Sequence, residues 1–230
     1  MSLAVVGTDT GVGKTIVSAL ILARFGPSMP IAYWKPVATG GMGGRDTACI
    51  RRYCAGMAEV LEEEILFDPP VSPHLAARKA GVRIGLGRLR RAWKRLASAP
   101  GRSILVEGVG GLLVPLNDDG DFLIDLIRDL RIPAVLVART ALGTINHTLL
   151  SLEALRARGI PVAGVVLNGP RSPSNREAIE RFGRVETIAE VEPMHSGRRP
   201  SRQARLAAAR RFDRPGALAP WLASGGQRER

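Results

Sequence analysis

The chain has 230 residues, of which 45% are hydrophobic, and this fits one α/β domain with a full core. No apolar run approaches the roughly 18 residues of a membrane span, and the first residues do not follow a signal-peptide pattern. Two cysteines, Cys49 and Cys54, are too few for a disulfide framework, and their spacing suits no common metal site. We therefore expect a cytoplasmic protein with reduced thiols.

The net charge of +12 would by itself favour an acidic partner such as nucleic acid or an anionic membrane. The distribution of the basic residues weakens that interpretation, because nearly all of them are arginines, a bias that genome composition also produces. The lysines are Lys14, Lys35, Lys79 and Lys94, and two of them lie beside glycine-rich segments. We expect neither a membrane partner nor a nucleic-acid partner.

A glycine-rich segment follows the first predicted strand, Leu3–Val6, and precedes a predicted helix. It reads Gly-Thr-Asp-Thr-Gly-Val-Gly-Lys-Thr over residues 7–15. Strand, glycine-rich turn and helix are the context of a phosphate-binding loop, in which backbone N–H groups and the helix N-terminus attract an anion. Lys14 would reach the β- and γ-phosphates, and the Thr15 hydroxyl would bind Mg²⁺. The match is incomplete, since Thr8 stands where the general pattern has its first glycine.

Strands and helices alternate along the chain, which predicts a single doubly wound, mostly parallel sheet of the P-loop NTPase type with helices on both faces. The further predicted strands span residues 31–35, 103–107, 133–138, 161–167 and 184–188. The predicted helices span residues 15–25, 46–54, 86–96, 122–130, 143–158 and 175–182, with another beginning at Ser72. The composition changes near Met194, so we expect a domain at 1–193 and a basic, partly ordered tail at 194–230 with a short helix at 203–211.

Two polar residues stand where strands end, which is the edge at which open parallel sheets bind ligands. Lys35 follows the second strand, and Glu107 ends the buried strand 103–107 before a run of glycines. A carboxylate at the end of a buried strand needs a partner, which a metal ion supplies. Thr15, Asp46 and Glu107 together offer the few oxygen ligands that Mg²⁺ takes beside phosphates and water. For Asp46 a plain helix cap is an equally good interpretation.

Six segments resemble the dethiobiotin synthetase family in order and in approximate spacing, over residues 1–192. They are the phosphate loop at 7–15, Lys-Pro-Val-Ala-Thr-Gly at 35–40, Ser-Pro-His at 72–74, Val-Glu-Gly-Val-Gly-Gly at 106–111, Gly-Thr-Ile-Asn-His-Thr at 143–148 and Leu-Asn at 167–168. The resemblance implies a ligase of biotin biosynthesis that uses ATP and Mg²⁺ to make dethiobiotin from 7,8-diaminononanoate and CO2. It implies a carbamate, then a carbamic-phosphoric anhydride, and then ring closure with release of phosphate.

The resemblance also assigns roles to individual residues. The catalytic residues would be Lys14 and Lys35, and the metal ligands would be Thr15, Asp46 and Glu107. ATP binding would fall to Gly11, Val12, Gly13, Lys14, Thr15, Ile16, Asp46, Glu107, Gly108, Val109, Gly110 and Asn168, of which Asn168 would read adenine. Substrate binding would fall to Thr10, Thr39, Gly143, Thr144, Ile145 and Asn146. In this family the site lies at a homodimer interface, where the segment 143–147 of one subunit catches the substrate carboxylate of the other.

The sequence departs from the family pattern at two places. Gly11 stands where the family often has glutamate, and residues 188–191 read Ile-Ala-Glu-Val where the family commonly has Ile-Pro. Nucleotide contacts from a loop at 188–191 are therefore a weaker expectation than the contacts from the segments that match the family pattern. We interpret His147 as a structural histidine rather than a catalytic one.

Two other classes of protein share the predicted fold. A related ligase such as a cobyrinic acid diamide synthase needs a glutaminase domain, for which 230 residues leave no room. A partition-type or regulatory ATPase that binds DNA or a protein partner would use the basic helix at 86–96 and the basic tail. That second alternative leaves the segments 35–37 and 143–147 without a role, and it calls for an additional lysine early in the phosphate loop, which this chain lacks.

Overall fold

The computed structural model describes residues 2–41, 45–192, 202–213 and 216–223. The strands are β1 (Leu3–Gly7), β2 (Ile31–Trp34), β3 (Val37–Thr39), β4 (Glu59–Val60), β5 (Ile65–Phe67), β6 (Ser103–Glu107), β7 (Ala134–Arg139), β8 (Val162–Asn168) and β9 (Thr187–Val191). The helices are α1 (Lys14–Phe25), α2 (Arg45–Tyr53), α3 (Pro73–Lys79), α4 (Leu86–Ala97), α5 (Leu123–Leu130), α6 (Thr144–Ala157), α7 (Pro173–Gly183), α8 (Arg202–Arg211) and α9 (Ala219–Ala223).

The central sheet has the strand order β4-β2-β6-β1-β7-β8-β9, and its described strand pairs are all parallel. The predicted doubly wound, mostly parallel fold is therefore confirmed. Because the strands are parallel, β1, β2, β6, β7 and β8 all end at one edge of the sheet. The phosphate loop, Lys35 and Glu107 follow or end these strands, so the fold places them at that edge.

Helices cover both faces of the sheet, because side chains alternate between the faces along each strand. Val5 and Leu105 face the core built with α1, α2, α8 and α9. Val6 and Val106 face the core built with α3 to α7. No helix in the described parts of the chain is both long enough and apolar enough to cross a membrane.

The structure contains three short strands, β3, β4 and β5, that are not among the strands predicted from the sequence. The segment predicted as a loop after Lys35 contains β3, which pairs with β5 in a small two-stranded parallel sheet separate from the central one. The edge strand β4 was also not predicted. These strands have two or three residues each, which is too short for a periodic pattern to show.

The last strand lies three residues later than the sequence predicts. Arg184, the predicted start, instead ends α7 in the left-handed conformation with φ of 45°. The chain extends from Thr187 and pairs with β8 up to Val191. The segment 188–191 is therefore a strand and not the loop that the sequence analysis assumed.

The helix predicted at 203–211 is present as α8, and it packs against α1. Ala209 and Phe212, with Leu218 and Leu222 near α9, are buried in the same core as α1. This contact explains why α1 has apolar side chains on nearly every face. The division into a domain and a tail at residue 193 stays a prediction, since residues 193–201 lie outside the described ranges.

Candidate active site

The phosphate loop joins β1 to α1, and Gly13 is the residue at which the helix begins. Its φ of 99° is a left-handed conformation, and a Cβ there would lie 2.0 Å from Asn168 Nδ2. Both the backbone angle and the close approach therefore require glycine. Asn168, at the end of β8, donates a hydrogen bond from Nδ2 to the carbonyl of Val12 at 2.8 Å. The residue predicted to read adenine thus lies directly against the phosphate loop.

Lys14 is almost fully buried, with 7% of its surface exposed. Its Nζ donates to the carbonyl of Asp9 at 3.0 Å and to the carbonyl of Gly110 at 2.7 Å. The ammonium group therefore bridges the phosphate loop and the glycine-rich loop after β6. Burial, followed by the nearby charge of Lys35, lowers the pKa of Lys14 to about 8.

Glu107 is fully buried at the end of β6 and lies on the same face of that strand as Leu105. That face is covered by α1, so its carboxylate meets the first turns of the helix. Oε1 accepts hydrogen bonds from Thr15 Oγ1 at 2.8 Å and from Lys35 Nζ at 2.9 Å. Oε2 accepts a hydrogen bond from Ser18 Oγ at 2.8 Å.

Lys35 joins the two carboxylates of the predicted metal site. Its Nζ lies 2.7 Å from Asp46 Oδ2 and 2.9 Å from Glu107 Oε1, and the residue is 3% exposed. Burial alone would lower the pKa of Lys35, but the charges of Glu107 and Asp46 outweigh it and raise that pKa above its usual value. Burial alone would raise the pKa of Asp46. The positive charge of Lys35 outweighs the effect of burial, so the pKa of Asp46 is lowered. Lys35 and Asp46 are therefore both ionised at neutral pH.

The three predicted metal ligands lie together. Thr15 Oγ1 is 2.8 Å from Asp46 Oδ1 and 2.8 Å from Glu107 Oε1. The described residues contain no group of three or more His, Cys, Asp and Glu side chains that could hold a metal by themselves. Two carboxylates and a hydroxyl beside a phosphate loop nevertheless fit Mg²⁺, which keeps several waters and takes further oxygens from phosphates. Asp46 is the second residue of α2, inside the helix, so it is not the helix cap of the alternative interpretation, although a carboxylate in the first turn is favourable there.

The remaining predicted nucleotide-binding residues surround this cluster. Gly11 is exposed, Val12 is buried and Ile16 packs beside the α1 core. The carbonyl oxygen of Gly108 lies 3.5 Å from Lys35 Nζ. The next residue, Val109, is half-buried, and Gly110 follows it. Their binding roles stay predictions.

The predicted substrate-binding residues lie at the same edge of the sheet. Thr10 is exposed beside Gly110, and Thr39 ends β3 in a half-buried position. Gly143 has a φ of 90° and directly precedes the first helical residue of α6. In the first turn of this helix, Ile145 is half-buried and Asn146 is exposed. Thr144 is buried and donates from Oγ1 to the carbonyl of Arg139. Their contacts to a substrate stay predictions.

Three residues near the cluster were missed by the sequence analysis. Ser18 binds Glu107, and the spacing of three from Thr15 on a helix was a usable signal for it. Arg139, at the end of β7, pairs with Asp9 of the phosphate loop, with 2.6 Å between Nη2 and Oδ2. The hydroxyl of Tyr33 is buried near Glu107 but outside hydrogen-bonding geometry, and burial, followed by the charge of Glu107, raises the pKa of Tyr33 well above its usual value.

Comparison with solved structures shows the fold alone. The septum site-determining protein MinD of Pyrococcus horikoshii OT3, complexed with Mg-ADP, matches with a TM-score of 0.58 and 16% identity, over 94% of this chain and 97% of that chain. The cell division protein MinD of Aquifex aeolicus matches with a TM-score of 0.55 and 12% identity, over 91% of this chain and 95% of that chain.

Comparison of sequences is more specific. Residues 1–201 match the family model of an AAA domain. The ATP-dependent dethiobiotin synthetase BioD of Paramagnetospirillum magneticum is 44% identical over 190 residues, which are 83% of this chain and 87% of that protein. The biotin biosynthesis bifunctional protein BioCD of Bordetella avium is 45% identical over 81% of this chain and 38% of that longer protein. The chain therefore belongs to the family of ATP-dependent dethiobiotin synthetases.

Proposed function

We propose that the chain is an ATP-dependent cyclo-ligase that converts 7,8-diaminononanoate and CO2 into dethiobiotin in biotin biosynthesis. One amine of the diamine captures CO2 as a carbamate, and a carbamate oxygen attacks the γ-phosphorus of ATP with departure of ADP. The second amine attacks the carbonyl carbon of the resulting carbamic-phosphoric anhydride. The ureido ring closes and phosphate leaves.

The observation that carries this proposal is the pair of buried lysines at the carboxyl edge of the sheet. Lys14 and Lys35 come from different strand ends, and they lie close enough for the charge of Lys35 to lower the pKa of Lys14. The reaction joins a carbamate anion to a phosphoryl group that carries negative charge. Two fixed ammonium groups at the junction stabilise charge that develops as the phosphoryl group moves.

The residues of the site would bind the metal ion, the reacting groups and the adenine base. Thr15, Asp46 and Glu107 would hold Mg²⁺, which neutralises charge on the β- and γ-phosphates when it is bound with ATP. Lys14 would bind the γ-phosphoryl group, and Lys35 would bind the carbamate. Asn168 would read the adenine edge with an amide that both donates and accepts.

We also propose that the enzyme is a homodimer whose interface includes α6. Leu113 and Leu150 are 53% and 55% exposed, and Leu142, beside the start of α6, is fully exposed. Leu113 and Leu150 line a cavity of about 340 Å³ that also reaches Asp9 in the phosphate loop. A second subunit packed on these apolar side chains would place its own helix N-terminus next to this site, where Gly143–Asn146 would bind the substrate carboxylate.

The alternative of a DNA-binding switch has less support. Three of the five basic side chains of α4 pair with two carboxylates, since Arg88 and Arg95 share Glu64 and Arg90 pairs with Asp129, and the three arginines are each more than half exposed. Its arginines therefore behave as the solvated outer face of a helix. Cys49 and Cys54 remain thiols, which fits the cytoplasmic location that we propose.

The experiment that tests this function is phosphate release from Mg·ATP, with and without 7,8-diaminononanoate and bicarbonate. We expect release to require both co-substrates and to match the dethiobiotin formed. The variant Asn146→Ala should raise the KM for the diamine more than the KM for ATP. Release that ignores the diamine, or that rises instead with DNA, would reject the ligase and favour the switch.

A further inference from the structure

The two oxygens of Glu107 have different surroundings. Oε1 lies at the predicted metal site, where it accepts hydrogen bonds from Thr15 and Lys35. Oε2 points to the interior and accepts the Ser18 hydroxyl at 2.8 Å. Both Ser18 and Glu107 are fully buried, so water does not compete for this bond.

The bond to Ser18 follows from helix geometry. Thr15 and Ser18 are three residues apart in α1, so their hydroxyls lie on one face of the helix, one turn apart. That face meets the end of β6, and the two hydroxyls reach the two oxygens of a single carboxylate. Thr15 fixes one end of the carboxylate and Ser18 fixes the other, so the plane of the group is determined.

We propose that Ser18 is a positioning residue for Mg²⁺, which acts by holding Glu107 with Oε1 directed toward Thr15 and Asp46. This inference rests on the proposed function, because it assumes that Glu107 is a ligand of Mg²⁺ bound with nucleotide. Ser18 itself would not be a metal ligand, because its hydroxyl donates to Oε2 on the other side of the carboxylate. Removing its hydroxyl leaves Oε2 buried without that donor, so the carboxylate gains rotational freedom and the correct orientation of Oε1 is less populated.

The experiment measures metal binding without turnover. Mg²⁺ is titrated by calorimetry into the full-length protein saturated with ADP, and ADP binding is measured separately in EDTA. We expect Ser18→Ala to raise the apparent Kd for Mg²⁺ by about 10-fold, which is the usual effect of losing a residue that orients a metal ligand. The affinity for ADP in EDTA should stay within about 2-fold of wild type, because the Ser18 hydroxyl donates to Glu107 and not to a group of the phosphate loop. A merely structural role would change both affinities together.

Ser28→Ala is the matched control. Ser28 follows the other end of α1, and its hydroxyl donates to the carbonyl of Phe25 at 3.0 Å, far along the helix from Glu107. This variant should leave the Kd for Mg²⁺ unchanged. If Ser18→Ala does not fold, Ser18→Cys retains a weak donor of similar size, and its Kd for Mg²⁺ should exceed that of wild type.

The outcomes separate the two proposals. An unchanged Kd for Mg²⁺ in Ser18→Ala, or in Ser18→Cys where the alanine variant is unfolded, overturns the role of Ser18 and leaves the ligase standing. A wild-type protein that binds ADP without any dependence on Mg²⁺ overturns the metal site itself. Wild-type phosphate release that does not require the diamine rejects the proposed reaction, whatever the metal titration gives.

Discussion

The carboxyl edge of the sheet and the C-terminal segment, of which residues 202–213 and 216–223 are described, both pack on α1, but they contribute opposite kinds of side chain. At the edge, Lys35 and Glu107 are buried charges that need each other. In the segment, Phe212 and Leu222 are buried apolar groups. One helix therefore has a charged cluster at its N-terminus and an apolar cover along its side.

The difference shows how function and stability are separated in this fold. Burying two charges costs desolvation energy that their attraction does not always recover, so such a pair is weak support for stability and a better sign of a site. Burying apolar surface stabilises by roughly 25 cal/mol per Å² and carries no chemistry. Changes at the edge should affect turnover most, and changes in the segment should affect unfolding most.

The largest effect is expected for Lys35→Ala. Loss of an ammonium group that stabilises transition-state charge should lower kcat about 10³-fold. The same change leaves Glu107 buried without its partner charge, which costs about 3 kcal/mol in the free energy of unfolding. Kinetics of phosphate release and urea unfolding measure the two effects.

A second substitution separates the loss of kcat from the loss of stability in Lys35→Ala. Adding Glu107→Gln should restore part of the stability, because the buried charge is gone, but should not restore kcat. Lys79→Ala, at the exposed end of α3, is the matched control and should change neither quantity. Near-normal turnover in Lys35→Ala would remove this lysine from the mechanism.

The opposite behaviour is expected for Phe212→Ala. Phe212 is 3% exposed in the core beside α1, so its truncation should cost about 3 kcal/mol in the free energy of unfolding. Measured well below the lowered Tm, kcat should stay within about 2-fold of wild type. Phe182, which is 63% exposed, gives the matched control, and Phe182→Ala should leave stability nearly unchanged. A large fall in kcat for folded Phe212→Ala would mean that the segment shapes the phosphate loop.

The charged edge was largely predictable from the sequence, whereas its internal contacts were not. Lys35 and Glu107 stand at the ends of apolar strands, and parallel strands bring their ends to one edge whatever the details of packing. Ser18 and Arg139 depend on how α1 and β7 are oriented toward particular loops, which local patterns do not determine. A hydroxyl three residues after Thr15 was the available clue for Ser18.

The apolar segment was predictable only in part. The helix α8 follows from its local sequence, but its arginines give it no apolar stripe that would predict docking. The clue lay instead in α1, where Leu20, Ile21 and Leu22 are consecutive, so they point in different directions around the helix, and all three are buried. A helix without a polar face needs cover on the side away from the sheet. The sequence of the covered helix therefore held information about the segment that covers it.

Asp213 is an exception within the apolar segment, and its neutralisation should give the smallest effect. It is 1% exposed and accepts the backbone N–H of Leu218 at Oδ2, while Oδ1 has no hydrogen-bond partner among the described residues. Burial raises the pKa of Asp213, against the opposing effects of backbone N–H groups and the charge of Arg24. A folded pKa above the unfolded one means that this group stabilises most at acidic pH and less as pH rises through the folded pKa.

The variant Asp213→Asn keeps an acceptor for Leu218 and removes that titration. Its Tm relative to wild type should be nearly unchanged at pH 4 and should be higher by about 1–3 °C at pH 8. Scanning calorimetry at both pH values measures this difference, and Asp68→Asn, at an exposed position, should show no such trend. A lower Tm for Asp213→Asn at pH 8 would mean that the buried carboxylate stabilises its turn as a charge. Both regions would then contain a buried charge that the fold stabilises. The carboxyl edge and the segment would differ in how many buried charges they contain, and not in whether they contain any.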